Sequence, residues 1–436
     1  MKKLNAHRSA GRTIFSALTL LVVTASLSGC GSQIDGTAAA GETDVRQLPF
    51  GNYPTDPLDV RTTYQHNAKD GKAIAMARLA DNVVVGTDVD PKFSHSVMAQ
   101  SLYPPSTALG PLSRVFAGAV KPVLEDNGML FGFSAASSTR ELPKSHARDQ
   151  SDNFNPFGGA LGDPDATAFN VTVLQFPDQQ RAQAAADQME AADFAVAADQ
   201  NVHLTLSKQP NAKAHWRPGV PSMAATMAYG QYVVNVYVAQ PKPDLDGLSA
   251  LAEQVFAAQL PLLDQAPGLS AHDIFRLDYD PDAMLRRTLH PEGSISLDPL
   301  DEATHTPRGH LHYLNDQATW KQILDTGGVD RISATHSGGL LFRARDAESA
   351  AKLWSGIVAT TKGSVDAPAK VPDVSCTASQ DDIGNAWWGY RSGKLTTYIC
   401  TLRYDRYVAR VASLDLTAVQ QMAAAQYALL AKSQYL

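Results

Sequence analysis

The sequence predicts an α+β fold: two pseudo-repeated units, each an antiparallel sheet plus helices, with an N-terminal α/β extension. Three observations lead there. Short β-rich runs are joined by Gly-centred turns, Ala-rich helical runs close each half of the chain, and the order of elements recurs. Specific residues recur with it. Tyr229-Gly230-Gln231-Tyr232-Val233 matches Tyr404-Asp405-Arg406-Tyr407-Val408. Ala257-Ala258-Gln259-Leu260 matches Ala424-Ala425-Gln426-Tyr427, and Ala184-Ala185 after Phe176 matches Ala350-Ala351 after Phe342. Such self-similarity implies one supersecondary unit of about 100 residues used twice. Its helices are expected on one face of each sheet, Ala-rich so that they approach it closely.

The elements follow in order. Residues 46–60 carry three prolines and read as an extended strap. Ala73 to Leu79 is helical, Asn82 to Gly86 (NVVVG) reads as a strand, and Ser113 to Glu125 as a helix ended by Asp126-Asn127-Gly128. MLFGFSAAS is a strand, and 141–165 an exposed polar loop. Phe169 to Phe176 alternates as a strand, and Pro177-Asp178 opens a helix running to Phe194. His203 to Leu206 is a strand, Met223–Ala228 and Tyr232–Ala239 a hairpin, and Leu248 to Leu263 a helix. Residues 264–313 are polar and irregular, with a boundary near 270. A helix over 315–325 has Asn315 as its expected cap. Strands over 331–336 and 340–343, a helix over 347–357, strands over 374–378, 386–391, 396–402 and 406–412, and a helix over 416–432 complete the second unit.

Composition narrows the function. Of 436 residues, 44% are hydrophobic and 19% charged, which is ordinary for a globular protein. The net charge is −7, and the bases Lys2, Lys3, Arg8 and Arg12 all lie near the N-terminus, so the body is more acidic still. An acidic body repels phosphate backbones and excludes nucleic acid as a partner.

Those four bases precede an apolar run from Ile14 to Leu27. At that length it suits a signal-peptide core better than a membrane span, which needs about 20 residues. It ends in Leu27-Ser28-Gly29-Cys30, which resembles the bacterial lipobox. The resemblance implies a lipoprotein signal peptide over 1–29 and a diacylglycerol on the Cys30 thiol. Two or three acyl chains anchor stably, at about 0.8 kcal/mol per buried CH₂. Residues 30–45 are small and polar and read as a flexible tether. Domains of 46–270 and 271–436 follow, held at the extracytoplasmic face of the plasma membrane.

The two remaining cysteines, Cys376 and Cys400, are most simply a disulfide outside the cytoplasm, the alternative being two separate buried thiols.

Candidate chemistry is sparse. His290, His305, His310 and His312 cluster, and His310-Leu311-His312 on a strand would share a face, so His305, His310 and His312 are candidate metal ligands. A solvated interdomain loop is the simpler reading. Asp278, Asp280 and Asp282 are spaced as in calcium loops, but Ala283 and Leu289 occupy the positions of the required Gly and Glu. Gly132-Phe133-Ser134-Ala135-Ala136 departs from a nucleophile elbow in its last residue and is not followed by a helix start. Trp387 and Trp388 point to opposite faces of a strand, so one is a candidate ligand-stacking platform. No cofactor fingerprint and no catalytic signature is present, and no cofactor is expected.

LPFGNYPTDP, RLADNVVVG and GMLFGFSAASSTR, with the lipobox and the paired units, resemble a family of uncharacterised lipoproteins of mycolic-acid-bearing actinobacteria. The resemblance implies a plasma-membrane anchor and carries over no functional residue beyond Cys30. Each unit is also similar, at the level of fold, to extracytoplasmic sensor domains of actinobacterial kinases. The expectation is a non-enzymatic envelope lipoprotein that binds a lipid or small molecule. A scaffold contacting another envelope protein is the alternative, and a metal-dependent enzyme a more distant one.

Overall fold

The computed structural model describes residues 43–59, 65–106, 112, 115–141, 165–298, 302–336, 339–379 and 396–436. The first sheet contains β1 (His95–Leu102), β2 (Phe131–Ser138), β3 (Ala168–Gln175), β4 (Val202–Thr205), β5 (Lys213–Trp216), β6 (Ser222–Tyr229) and β7 (Tyr232–Ala239). The second contains β8 (Thr304–His305), β9 (Arg331–Ala334), β10 (Leu340–Arg343), β11 (Ser364–Val365), β12 (Val374–Ser379), β13 (Thr397–Tyr404) and β14 (Tyr407–Ser413). Their orders are β1-β2-β3-β7-β6-β5-β4 and β8-β9-β10-β14-β13-β12-β11. All neighbouring pairs are antiparallel. Strand for strand, the two sheets have the same order.

The helices repeat too. Ahead of the first sheet come α1 (Ala68–Ala80) and the single turn α2 (Gly86–Val89). Then α3 (Val120–Asp126) joins β1 to β2, α4 (Gln179–Ala195) joins β3 to β4, and α5 (Leu245–Leu263) follows β7. In the second unit α6 (Ala271–Phe275) and α7 (Met284–Arg287) precede β8. Then α8 (Pro307–Leu311) and α9 (Gln317–Gly327) join β8 to β9, α10 (Ala347–Ala359) joins β10 to β11, and α11 (Leu416–Lys432) follows β14. The equivalent helices start alike: Asp178 caps α4 and Asp346 caps α10, while Asp244 caps α5 and Asp415 caps α11.

The segment read as an N-terminal extension therefore completes the first unit, because β1 and β2 are strands of its sheet. Helices lie on both faces of each sheet, where one face was expected. Phe169, Val171 and Val173 face a core shared with α1 and α5, while Leu174 and Phe176 face α3 and α4. In the second unit Val411 and Leu402 pack on α11, and Phe342 and Val408 on α9 and α10. Full burial of every residue in β2 and β3 follows from this layering. Leu48, from the N-terminal strap, joins the α11 core.

Two local readings are corrected. Of the described residues in the stretch Ser113 to Glu125, only those from Val120 are helical, which puts Pro122 in the first turn, where its missing N–H costs nothing. Asn82–Gly86 is not a strand. Val83, Val84 and Val85 are buried, yet among the described residues no strand pairs with them. Instead Gln259 of α5 accepts from the Val84 N–H (3.0 Å) and donates to the Asn82 carbonyl (2.9 Å). The matching residue of the second unit, Gln426 of α11, accepts from the Leu289 N–H (2.7 Å) and donates to the Arg287 carbonyl (2.8 Å). A fully buried amide thus stands in for a partner strand in both repeats.

Cys376 and Cys400 are bonded, directly opposite each other on β12 and β13 and buried in the α11 core. Among the described residues no helix is long and apolar enough to cross a membrane.

Gln259→Ala and Gln426→Ala each orphan two buried backbone groups. Each is expected to lower unfolding stability by about 2–5 kcal/mol, at roughly 1–3 kcal/mol per group. Urea melts check this, and a loss below about 1 kcal/mol in either variant contradicts it. Replacing both cysteines by Ser is expected to cost about 3 kcal/mol through the freed unfolded-state loop, read in the same melts without reductant.

Candidate functional site

Where the two units meet, a cleft of about 710 Å³ opens between α1, the loops 265–269 and 278–285, β8, α8 and α9. Its apolar lining comes from Ile74 of α1, Leu285, Leu297, Leu311 of α8 and Leu324 of α9. Close backbone approach shapes it. Gly71 lets α1 sit on the Ile274 carbonyl, which a Cβ would meet at 2.1 Å. Gly309 likewise lets α8 press on Asp81, whose Oδ1 would lie 2.1 Å from a Cβ.

Most charges on the cleft are paired, and Arg78 donates to the Asp278 backbone carbonyl (3.2 Å). Arg308 donates to Asp88 (3.1 Å), Lys321 to Asp325 (2.6 Å) and Arg331 to Asp282 (2.8 Å). Asp280 is buried. It accepts from the Leu285 and Arg286 backbone N–H groups and from the Arg286 side chain, so it caps α7. Burial opposes ionisation of Asp282, but hydrogen bonds and charge from Arg331 and Arg343 win and hold its carboxyl below the usual range. Asp280 and Asp282 are thus occupied by protein donors, and the calcium-like spacing serves the turn between the units.

The four clustered histidines are not solvated. His290, His305, His310 and His312 are each at most 3% exposed. The His290 Nε2 donates to the Leu285 carbonyl (2.9 Å), and its Nδ1 lies 3.2 Å from Glu302. The His312 Nε2–H is shared between the Ala80 and Val83 carbonyls, both at 3.2 Å. Burial lowers the His312 pKa to about 4, against the opposing pull of those carbonyls. Burial also pushes His310 well below its ordinary value, with His305 and Arg410 adding to the effect. His305 lines the cleft with Nδ1 3.8 Å from Asp81, and neither of its ring nitrogens has a hydrogen-bond partner among the described residues. Three further lining atoms share that condition: Gln175 Oε1, Thr304 Oγ1 and Glu302 Oε1, the last 3.2 Å from the His290 Nδ1.

Family models match the chain over residues 62–279, described as a domain of unknown function (DUF7373), N-terminal, and over residues 284–433, its C-terminal counterpart. The chain belongs to the DUF7373 family. The two matched regions meet at the Asp280–Ala283 turn, and each carries one of the two sheets. No curated protein matches. Among solved structures, the extracellular domain of PknH from Mycobacterium tuberculosis is similar at 13% identity. The match covers 48% of this chain and 99% of that one, with a TM-score of 0.25.

Within this DUF7373 chain the sequence candidates separate. His310 lies in α8 and His312 caps its end, so the strand face that would align them does not form. The reason is Pro307, which starts a helix at N1. His305, on β8, remains at the cleft. Among the described residues no three His, Cys, Asp or Glu side chains are grouped to hold a metal ion. Ser134 is buried mid-strand and bonded to Thr172 and Asn170, not raised on an elbow. Cys30, Trp387 and Trp388 lie outside the described residues. Sequence reasoning missed Asp81, Gln175 and Thr304. Only Asp81 carried a signal, as a charge two residues before the buried valine run.

His312 predicts a pH dependence. Its folded pKa of about 4 lies below the unfolded 6.5, so between these values the unfolded chain binds the extra proton. Its contribution is therefore fully present above pH 6.5 and is lost as pH falls toward 4, by about 3 kcal/mol. Urea melts at pH 7 and 4.5 are expected to differ less in His312→Gln than in wild type. An equal difference contradicts the assignment.

Proposed function

We propose that the protein is a non-enzymatic binding protein of the cell envelope, anchored by lipid at Cys30 and displayed on the extracytoplasmic face of the plasma membrane. Its ligand is a small molecule held in the cleft between the two units. One observation carries this reading. The cleft, about 710 Å³, lies within the size range of small-molecule sites and has buried polar atoms without partners on its walls. The charged lining disfavours a bare acyl chain, so of the two ligand classes expected from sequence the small molecule is preferred. The Cys376–Cys400 bond supports an oxidising compartment, and the order of bases, apolar run and Leu27-Ser28-Gly29-Cys30 supports the anchor.

Two measurements test the proposal. Native mass spectrometry of the full chain isolated from its own envelope is expected to show a discrete non-covalent added mass. That mass is expected to be absent from Ala266→Trp, which narrows the cleft at a half-buried lining position. A bare polypeptide, or an added mass unchanged in the variant, overturns the cleft reading. Metabolic labelling with radioactive palmitate is expected to mark the wild type and not Cys30→Ser. Equal labelling overturns the anchor.

A further inference from the structure

The chemistry of the cleft wall narrows the class of ligand, an argument that rests on the cleft being the binding site. Four side chains on it carry atoms without a hydrogen-bond partner among the described residues: Gln175, Glu302, Thr304 and His305. Glu302 already faces the His290 Nδ1 at 3.2 Å, and the other three differ in what they require. The Gln175 amide donates to the Leu269 carbonyl (2.6 Å), which leaves its buried Oε1 as a pure acceptor. Thr304 Oγ1 both donates and accepts. The His305 imidazole, 2% exposed, offers one donor and one acceptor when neutral. A carboxylate or phosphate only accepts, and an ammonium only donates. Neither satisfies this set. A hydroxyl does both on one atom, so several neighbouring hydroxyls meet it.

The paired charges point the same way. Asp88, Asp282 and Asp325 each already hold a cationic partner. Among the described lining cations only Arg78, which donates to the Asp278 backbone carbonyl, has no carboxylate partner, so a charged ligand would compete with existing pairs everywhere else. A hydroxyl instead uses the carboxylates' spare lone pairs and leaves the pairs intact. Between the polar groups lie Ile74, Leu285, Leu297, Leu311 and Leu324, with Tyr279 at the same wall. That alternation fits a ring with an apolar C–H face and a polar rim. We infer that the cleft binds an uncharged, polyhydroxylated ring ligand, a neutral saccharide or the saccharide part of a glycoconjugate, through Gln175, Thr304 and His305.

The test uses the full chain isolated from its own envelope. Material released on denaturation is weighed by mass spectrometry and analysed for sugars after acid hydrolysis, for wild type, Thr304→Val and Gln175→Met. Circular dichroism confirms that each variant is folded, and the second variant stands in if the first is not. The expected result is a near-stoichiometric neutral sugar in the wild type, reduced about ten-fold in either variant. A released ligand that is charged on its ring or contains no sugar overturns this inference and leaves the cleft reading in place. Equal sugar in wild type and folded variants also overturns it. No released ligand at all overturns both.

Discussion

Everything in this fold is arranged around a buried glutamine that takes the place of a strand. The loop ahead of the first strand of each sheet must cross the interior, where unpaired peptide groups cost about 1–3 kcal/mol apiece. Gln259 and Gln426, both fully buried, each satisfy one donor and one acceptor of that loop from the closing helix. The closing helix is thereby tied to the start of its own unit, so the seven strands between are held at both ends. The interaction is local in space and remote in sequence in both units.

The first unit adds a second set of ties, and these join it to the other unit. The Gly86 N–H donates to Gln317 (3.0 Å), the Thr306 N–H to Asp81 (2.8 Å), and the Ser96 hydroxyl to the His312 carbonyl (2.5 Å). His312 completes the bracket from the other side through Ala80 and Val83. The loop 81–96 is thus gripped by both units, which explains why three consecutive valines are buried without forming a strand. It also explains the buried His312. A neutral imidazole supplies hydrogen bonds at the junction without the desolvation cost of a permanent charge.

Much of the second half of each unit was legible because periodicity and turn chemistry agree there. The hairpin around Tyr229-Gly230, the capped helices and the Gln259/Gln426 match all survive as structure. The first strand of the first sheet was not legible. His-Ser-Val-Met-Ala-Gln-Ser-Leu is half-buried over most of its length, so no alternation marks it. The residues 264–313 misled for a related reason. Polar side chains there are buried, some in pairs such as Arg286–Asp280 and His290–Glu302 and some on backbone carbonyls, and composition alone reads buried and solvated polar groups alike. The cleft was illegible because Gln175 lies far in sequence from Thr304 and His305 and lines the same cleft only when the two sheets are assembled.

The repeats have diverged where nothing forces them to agree. In the first sheet Asn235 donates to Thr226 across neighbouring strands (2.8 Å), within a neutral ladder that includes Thr172, Asn170 and Ser134. At the matching place in the second sheet stands Arg410, opposite Thr401. Burial lowers its pKa to about 10, and its guanidinium lies 5.8 Å from the Trp320 ring. A neutral ladder and a buried cation require different surroundings, so the helical layers over the two sheets cannot be interchanged. The loop clamps tolerate no such drift, because each must match two backbone groups at once. Conserved clamps beside divergent faces leave the junction as the one place built by both repeats together. Atoms of Gln175, Glu302, Thr304 and His305 without hydrogen-bond partners among the described residues lie on its walls.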